Sequence, residues 1–145
     1  MMILVSDLLR GKGNLVWSID ASATILDALR LLDEKDVGAL PVTKGGKLAG
    51  IISERDFARA VSENPQLSLD TPVSELMTKD VLTIAPSDTV EKCMKLMTDQ
   101  HIRHLPVMEN DMMMGIVSIG DAVKKFVTDQ KAFISQLEDY ISGRW

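Results

Sequence analysis

Hydrophobic and polar positions alternate along this chain in two matching series. Each series opens with a short β-branched and apolar run, residues 16–19 or 81–84, that predicts a strand. Apolar residues then recur at i, i+3, i+4 and i+7, which predicts an amphipathic helix in each series. The first stripe comprises Ile25, Ala28, Leu29 and Leu32, and the second comprises Val90, Cys93, Met94 and Met97. Both stripes are expected to face a core, which places Cys93 inside.

Polar residues before each helix are typical of helix starts. They are Ser22, Thr24 and Asp27 in the first series, and Ser87, Asp88 and Glu91 in the second. Two further apolar runs follow each helix and flank turn residues, which predicts a β-hairpin. The hairpins comprise residues 39–43 and 48–52 around Gly45-Gly46, and residues 104–108 and 113–117 around Asn110-Asp111. A second helix is predicted to begin near Glu54 and near Ile119, so each unit has the order β-α-β-β-α.

The landmarks of the two series are separated by a constant 65 positions. Pro106 follows Pro41, Gly115 follows Gly50 and Asp121 follows Asp56 by this same offset. A fixed offset indicates two copies of one folded unit. We expect repeats at residues 5–62 and 73–128, joined by a linker at 63–72. An amphipathic helical tail with Phe133, Leu137 and Ile141 is expected at residues 129–145.

Composition and charge exclude several classes of function. The chain has 145 residues, of which 46% are hydrophobic and 26% charged, as in globular proteins. A formal charge of −5 without a Lys/Arg cluster argues against a nucleic-acid surface. The single Cys93 cannot form an intramolecular disulfide, and no apolar stretch reaches the roughly 18 residues of a membrane helix. The start of the chain lacks a secretion signal. We therefore expect a cytoplasmic protein that binds neither nucleic acid nor membrane.

A Ser-x-x-Asp motif stands at the predicted start of the second helix in each repeat, as Ser53 with Asp56 and as Ser118 with Asp121. A serine at a helix start lies beside unpaired N–H groups that favour a phosphate. An ionised Asp one turn later accepts hydrogen bonds, which suits the two hydroxyls of a ribose. The same spacing is also that of a capping box, in which the acid accepts from the serine N–H. The residues alone leave both interpretations open.

The two repeats differ just before the Leu-Pro-Val strand. The first repeat has Gly38-Ala39 there, whereas the second has Arg103-His104. A strand needs neither cation, while an Arg fork suits phosphate oxygens and a His adds a pH-dependent donor. An ion pair with a surface acid is the alternative. His101 and His104 form an H-x-x-H pair, but the sequence has no third His and its single Cys93 is expected in the core, so no metal site is expected.

The apolar-Pro-Val strand, the hairpin and the Gly-apolar-apolar-Ser-x-x-Asp motif, present twice, resemble the CBS domain in its tandem form, the Bateman module. The resemblance extends from Val5 to about Lys125 and is nearest to free-standing CBS pairs. It implies a mixed α/β fold with two repeats about a pseudo-two-fold axis, two clefts and frequent homodimers. It also implies an adenosyl ligand, with AMP foremost and ADP, ATP, NAD(H) and S-adenosylmethionine as alternatives.

The resemblance also assigns residues to the two clefts, with the serine facing phosphate and the acid facing ribose. The better equipped cleft is expected to combine Ser118, Asp121, Arg103 and His104 with the backbone near Ile19, Asp20 and Gly38 of the other repeat. The secondary cleft is expected to combine Ser53 and Asp56 with Thr83, Ile84 and Ala85.

Three functions are compatible with these features. The favoured one is a non-catalytic adenine-nucleotide sensor that acts on an unidentified partner protein. The second is a constitutive dimerisation or interaction module with degenerate clefts. The third is an enzyme, which the sequence disfavours because it has no nucleophile elbow, P-loop or Gly-rich dinucleotide fingerprint.

Overall fold

The structure is a computed structural model that describes residues 2–12 and 16–142, and these form a mixed α/β fold, as predicted. Its elements are α1 (Val5–Lys12), β1 (Ile19–Asp20), α2 (Ile25–Lys35), β2 (Ala39–Lys44), β3 (Lys47–Ser53), α3 (Glu54–Glu63), α4 (Val90–Gln100), β4 (His104–Glu109), β5 (Met112–Ser118) and α5 (Ile119–Ser142), with a 3-10 turn at Val73–Glu75. Parts of the predicted first repeat, residues 13–15, and of the predicted tail, residues 143–145, lie outside the described residues.

The described chain forms two compact units. The first-repeat unit contains residues 16–83 and 110–113, and the second-repeat unit contains residues 2–12, 84–109 and 114–142. This division differs from the predicted repeats at 5–62 and 73–128, because the segment that precedes each repeat packs into the other unit.

The first-repeat unit contains a three-stranded sheet in the order β1-β2-β3. β1 is parallel to β2, with Ile19 opposite Val42, and β2 is antiparallel to β3, with Leu40 opposite Ile52. Gly45 and Gly46 have φ angles of 59° and 79°, so this tight turn uses the left-handed conformation that glycine adopts without strain. The buried residues of the unit include Ile25, Ala28, Leu32, Leu40, Val42, Ile52, Phe57 and Val73.

The second-repeat unit contains β4 and most of β5, which pair as a hairpin, and the turn residues Asn110 and Asp111 also have positive φ. Its buried residues include Val5, Leu8, Val90, Cys93, Met97, Leu105, Val107 and Val117. The predicted burial of Cys93 is therefore confirmed. Burial raises the pKa of the Cys93 thiol to about 11, so the thiol stays protonated at neutral pH.

The first strand of each repeat is shorter than predicted. Only Ile19 and Asp20 pair in the first repeat, and only Ile84 forms a bridge in the second, opposite Val107. The Ile84 N–H donates to the Pro106 carbonyl, and the Met108 N–H donates to the Ile84 carbonyl. Extending this pairing toward residue 82 would require an N–H from Pro106, which proline lacks. Pro41 imposes the same limit in the first repeat, so the predicted strands at 16–19 and 81–84 are wrong over most of their length.

Threonine caps the first helix of each repeat. Thr24 forms a capping box with Asp27, and Thr89 Oγ1 accepts from the Lys92 N–H at 3.0 Å. Thr89 was not among the predicted start residues, although it follows Thr24 by the repeat offset of 65. Aligning the two repeats of the sequence is therefore enough to identify Thr89 as a helix cap.

The last helix of the second repeat and the predicted tail form one continuous helix. α5 runs for 24 residues, whereas its counterpart α3 ends at Glu63, with Asn64 as its C-cap and Pro65 directly after it. Proline cannot continue a helix, and α5 contains none. The prediction of a helical tail is thus confirmed over the described residues, but the tail is not a separate element.

Two corresponding segments, which we call the leader segments, complete the units. Residues 3–10 lead into the first repeat and residues 71–78 lead into the second. In the second-repeat unit, the Val5 N–H donates to the Asp88 carbonyl and the Val90 N–H donates to the Ile3 carbonyl, both at 2.8 Å.

The same pair of bonds occurs in the first-repeat unit. There, the Val73 N–H donates to the Ala23 carbonyl at 2.8 Å and the Ile25 N–H donates to the Thr71 carbonyl at 2.9 Å. Each leader segment therefore holds the helix start of the repeat that it does not precede in sequence.

The leader segments pack against one glycine in each hairpin. A Cβ on Gly50 would lie 2.6 Å from Met77 Sδ and 2.8 Å from the Thr78 carbonyl oxygen. A Cβ on Gly115 would lie 2.7 Å from Leu9 Cδ2. The Thr78 carbonyl is fixed by its hydrogen bond to the Ile51 N–H, whereas the Leu9 side chain can rotate.

We expect Gly50→Ala to lower the free energy of unfolding by about 1–3 kcal/mol, the usual cost of overpacking. Gly115→Ala should lower it less, because a side chain rather than the backbone gives way. Gly120→Ala is the control, since its Cβ would meet nothing closer than 3.6 Å and alanine favours a helix. Urea denaturation of the three variants measures this order. An equal or larger loss in Gly115→Ala would contradict it.

Candidate functional site

The Ser-x-x-Asp motif of the first repeat forms a capping box at the start of α3. Asp56 Oδ2 accepts from the Ser53 N–H at 2.8 Å and from the Ser53 hydroxyl at 3.0 Å. The next amide, that of Glu54, donates to the Gly38 carbonyl at 3.1 Å. Gly38 is thereby held next to the motif of its own repeat.

The second repeat has the same arrangement at the start of α5. Asp121 Oδ2 accepts from the Ser118 N–H, and the Asp121 N–H donates to Ser118 Oγ, both at 3.0 Å. The Ile119 N–H donates to the Arg103 carbonyl at 2.8 Å. The capping interpretation is therefore confirmed in both repeats. Several N–H groups that were expected to be available to a phosphate already donate to acceptors within the chain.

Capping of α3 does not use the whole carboxylate of Asp56. The hydrogen bonds of Asp56 described above end on Oδ2, whereas an ionised carboxylate has about four lone-pair directions on its two oxygens. Asp56 and Asp121 are both partly buried at their capping hydrogen bonds, which hold each carboxylate in a fixed position.

Arg103 and His104 lie where β4 begins, directly before the buried Leu105-Pro106-Val107. The Arg103 side chain is exposed, and His104 is half-buried. The hydrogen bond from Ile119 places the Arg103 backbone beside the start of α5. The joint role of Arg103 and the Ser118–Asp121 motif stays a prediction.

His101 has a structural role. It ends α4 in the left-handed conformation, with φ of 55°, and its N–H donates to the carbonyls of the last helical turn. Asp36 ends α2 in the same way with φ of 52°. Among the residues that the structure describes, no three His, Cys, Asp or Glu side chains are grouped so that they could hold a metal ion.

Ile19 and Asp20 occupy the far end of the first-repeat sheet from Gly38. Asp20 lies opposite Thr43, near the end of β2, while Gly38 precedes the start of β2. Hydrogen bonds from the hydroxyl and the N–H of Ser22 hold the pKa of the Asp20 carboxyl below its usual range, with a smaller contribution from Lys44. Asp20 lines an open groove of about 690 Å³ together with Ala21, Ser22, Lys44, Pro72, Ser74, Glu75, Met77 and Lys79.

Ile84 and Ala85 form the corresponding segment of the second-repeat unit, and Thr83 precedes them with an exposed side chain. Ile84 is buried and bridges to Val107, while the Ala85 N–H donates to Asp88 Oδ2 at 2.7 Å. The Lys92 ammonium also donates to Asp88, at 2.9 Å. Asp88 thus fixes the segment that contains two predicted site residues.

Asp88 was predicted only as a helix-start residue. The Ala85 N–H, and after it the Lys92 side chain, hold the pKa of its carboxyl below the usual value of 3.8. Asp88 accepts from the N–H three residues before it, as Asp56 and Asp121 do, so this shared spacing is the sequence feature that could have indicated its role.

The predicted clefts combine residues of both repeats. The structure places Ser118, Asp121, Arg103 and His104 in the second-repeat unit, and Ile19, Asp20 and Gly38 in the first-repeat unit. Their meeting in one cleft stays a prediction, as does the meeting of Ser53 and Asp56 with Thr83, Ile84 and Ala85. No helix within the described ranges is long and apolar enough to cross a membrane.

Comparison with known proteins gives a consistent match. The CBS domain family model matches residues 13–63 and 73–128. The CBS domain-containing protein CBSX3, mitochondrial, of Arabidopsis thaliana is 38% identical over 151 residues, which cover 96% of this chain and 72% of the relative. The CBS-domain containing protein ATU1752 from Agrobacterium tumefaciens is 39% identical with a TM-score of 0.82, covering 84% of this chain and 98% of that one.

A further solved structure contains ligands. The CBS domain pair of protein MJ0100, in complex with 5′-methylthioadenosine and S-adenosyl-L-methionine, is 26% identical with a TM-score of 0.78. The match covers 89% of this chain and 99% of that chain.

We expect Asp88→Asn to destabilise the protein at pH 7 by about 1–2 kcal/mol, because the Ala85 N–H loses a charged acceptor. Since the folded-state pKa lies below the ordinary value of 3.8, the ionised acid stabilises the fold above pH 3.8. This contribution is lost as the pH falls through the lowered pKa. Urea denaturation at pH 7 and pH 3 should show the difference between wild type and variant shrinking at pH 3.

The exposed Asp80 provides a matched control for this effect. Asp80→Asn should change the unfolding free energy little at either pH. A constant difference between Asp88→Asn and wild type at both pH values would show that the charge of Asp88 is not the cause.

Proposed function

Because this chain belongs to the CBS domain family and contains two CBS domains, we propose that it is a non-catalytic regulatory module that binds an adenine nucleotide, AMP foremost. CBS domain pairs are regulatory, ligand-binding modules. The partner that this module regulates is a protein, and a change in its binding requires that the ligand prefer one of two states of the module.

The observation that supports the proposal is the paired helix start. In both repeats a serine and an acid are fixed at the end of one strand and the start of a helix, beside the backbone that precedes the neighbouring strand. An ionised acid is an acceptor-only group, which is the chemistry that ribose hydroxyls require. The related MJ0100 pair, named as a complex with two adenosyl ligands, supports the adenosyl class.

Arg103 and His104 support a phosphate-bearing ligand over an uncharged nucleoside. Both lie at the start of β4, and the Arg103 backbone bonds to the start of α5. The first repeat has Gly38-Ala39 at these positions and therefore offers no cation there. A planar guanidinium binds phosphate oxygens in pairs, which adds affinity and orientation.

An exposed apolar helix face favours a second candidate function, a constitutive interaction module. Ile134 and Ile141 on α5 are 51% and 82% exposed. Binding of nucleotide separates the two functions, because a degenerate module does not respond to nucleotide. A cytoplasmic location, expected from the sequence, stays part of the proposal.

Thermal unfolding with AMP, ATP, NADH and S-adenosylmethionine tests the proposed function. A ligand that binds only the folded state raises Tm, and at 100 times its Kd it adds about 2.7 kcal/mol of stability. We expect AMP to raise Tm most. Asp121→Ala should then weaken AMP binding in calorimetry more than Asp56→Ala, since Asp121 shares its unit with Arg103 and His104.

Both acid variants should stay folded, because a lost cap costs about 1 kcal/mol. If Asp121→Ala and Asp56→Ala lost AMP affinity equally, the prediction that the second-repeat motif contributes more to binding would be contradicted. If none of the four ligands changed Tm, the constitutive interaction module would replace the nucleotide sensor.

Arg103→Ala should weaken AMP binding about 10-fold or more while leaving adenosine binding nearly unchanged, since only AMP has a phosphate. The difference should shrink at high salt, which screens partly exposed charges. His104→Ala should likewise weaken AMP binding more than adenosine binding, because an imidazole N–H can donate to a phosphate oxygen. Calorimetry with both ligands measures this. Equal losses for AMP and adenosine would show that Arg103 shapes the pocket rather than contacting phosphate.

A further inference from the structure

The last part of α5 is a helix that none of the residues described by the structure covers. Every residue from 131 to 138 is exposed, although the first turns of α5 pack on the core through Ala122 and Phe126. A solvated helix of this length is marginal in water unless an apolar face finds a partner. The arrangement of apolar side chains on α5 therefore indicates what that partner is.

The apolar side chains of this segment follow a heptad repeat. Counting Val127 as position a places Ile134 and Ile141 at a, and Gln130 and Leu137 at d, the spacing of a coiled-coil seam. We call these five residues the tail seam. Its apolar members are 42–82% exposed, with Phe133 beside them at 50%.

We propose that the tail seam pairs with the tail seam of a second copy as an antiparallel coiled coil. The orientation follows from the flanking charges. Lys131 and Glu138 both occupy position e, seven residues apart. In a parallel pair, e positions face g positions, which hold Phe126 and Phe133 and offer no charge. In an antiparallel pair, e faces e, so Lys131 of each copy can meet Glu138 of the other.

The charges also fix the register. In an antiparallel pair, each core layer joins an a residue to a d residue, and the register of layers that brings Lys131 nearest Glu138 of the second copy has its two-fold axis between Ser135 and Gln136. Ile134 then packs beside Leu137 of the second copy, twice, at the centre of the seam. The outer layers pair Gln130 with Ile141, where the polar amide reaches solvent. One register thus satisfies both the central apolar layers and the two ion pairs.

Sedimentation equilibrium of the full chain tests this proposal with the double variant Ile134→Asp/Leu137→Asp. The variant should have half the wild-type mass in solution. It should be a monomer if the wild type is a dimer, or a dimer if a second interface makes the wild type a tetramer. The matched control is Ser135→Asp/Gln136→Asp, which adds the same charge to the outward face of the same turn. The control should keep the wild-type mass.

Charge reversal tests the antiparallel orientation. Lys131→Glu and Glu138→Lys should each weaken association on the order of 10-fold, because each creates two like-charged pairs, and the combined swap should restore it. A wild-type chain that is monomeric at tens of micromolar, or an unchanged mass in the Ile134/Leu137 variant, would overturn the proposal. Failure of the swap to restore association would overturn the antiparallel arrangement. Nucleotide binding is measured separately, so these outcomes do not depend on the proposed function.

Discussion

The exchange of leader segments is the constraint on which the rest of the structure depends. The first helix of each repeat begins with backbone hydrogen bonds to the leader segment of the other repeat, and Val5 and Val73 are fully buried in the unit that each completes. Neither repeat therefore fills its own core with a contiguous stretch of sequence. The two units must form together, which is consistent with the small size of each repeat, since so short a chain buries too little surface to be stable alone.

The repeat offset predicted the hairpins, the helix faces and the buried Cys93, because these depend on local periodicity that both copies share. The length of the first strands could not be read from apolar pattern, since it is limited by the missing N–H of Pro41 and Pro106 on the neighbouring strand. The unit into which each leader segment packs could not be predicted either. Hydrophobicity indicates that Val5 and Val73 are buried, but not in which of two similar cores.

The candidate site shows a similar division between what sequence could and could not reveal. The two Ser-x-x-Asp motifs were recognisable, and the structure shows that each is a capping box held to the backbone before the neighbouring strand. The role of Asp88 was missed because its hydrogen bond to the Ala85 N–H belongs to a turn rather than to a repeated motif. The copies thus share a common framework and differ mainly at Gly38-Ala39 and Arg103-His104, where a change of side chain leaves the framework intact.

α5 joins two parts of the molecule that the sequence suggested were separate. It begins at the Ser118–Asp121 capping box and continues without a break to Ser142, a length of about 36 Å at 1.5 Å per residue. A helix without proline transmits rotation and tilt along its axis rather than absorbing them at a hinge. If a ligand bound at the amino end of α5 changes the affinity of two copies for each other at its carboxyl end, thermodynamic linkage requires the reverse effect. Association of the two copies then changes the affinity for the ligand by the same factor. Protein concentration would in that case act as an effector of the nucleotide response.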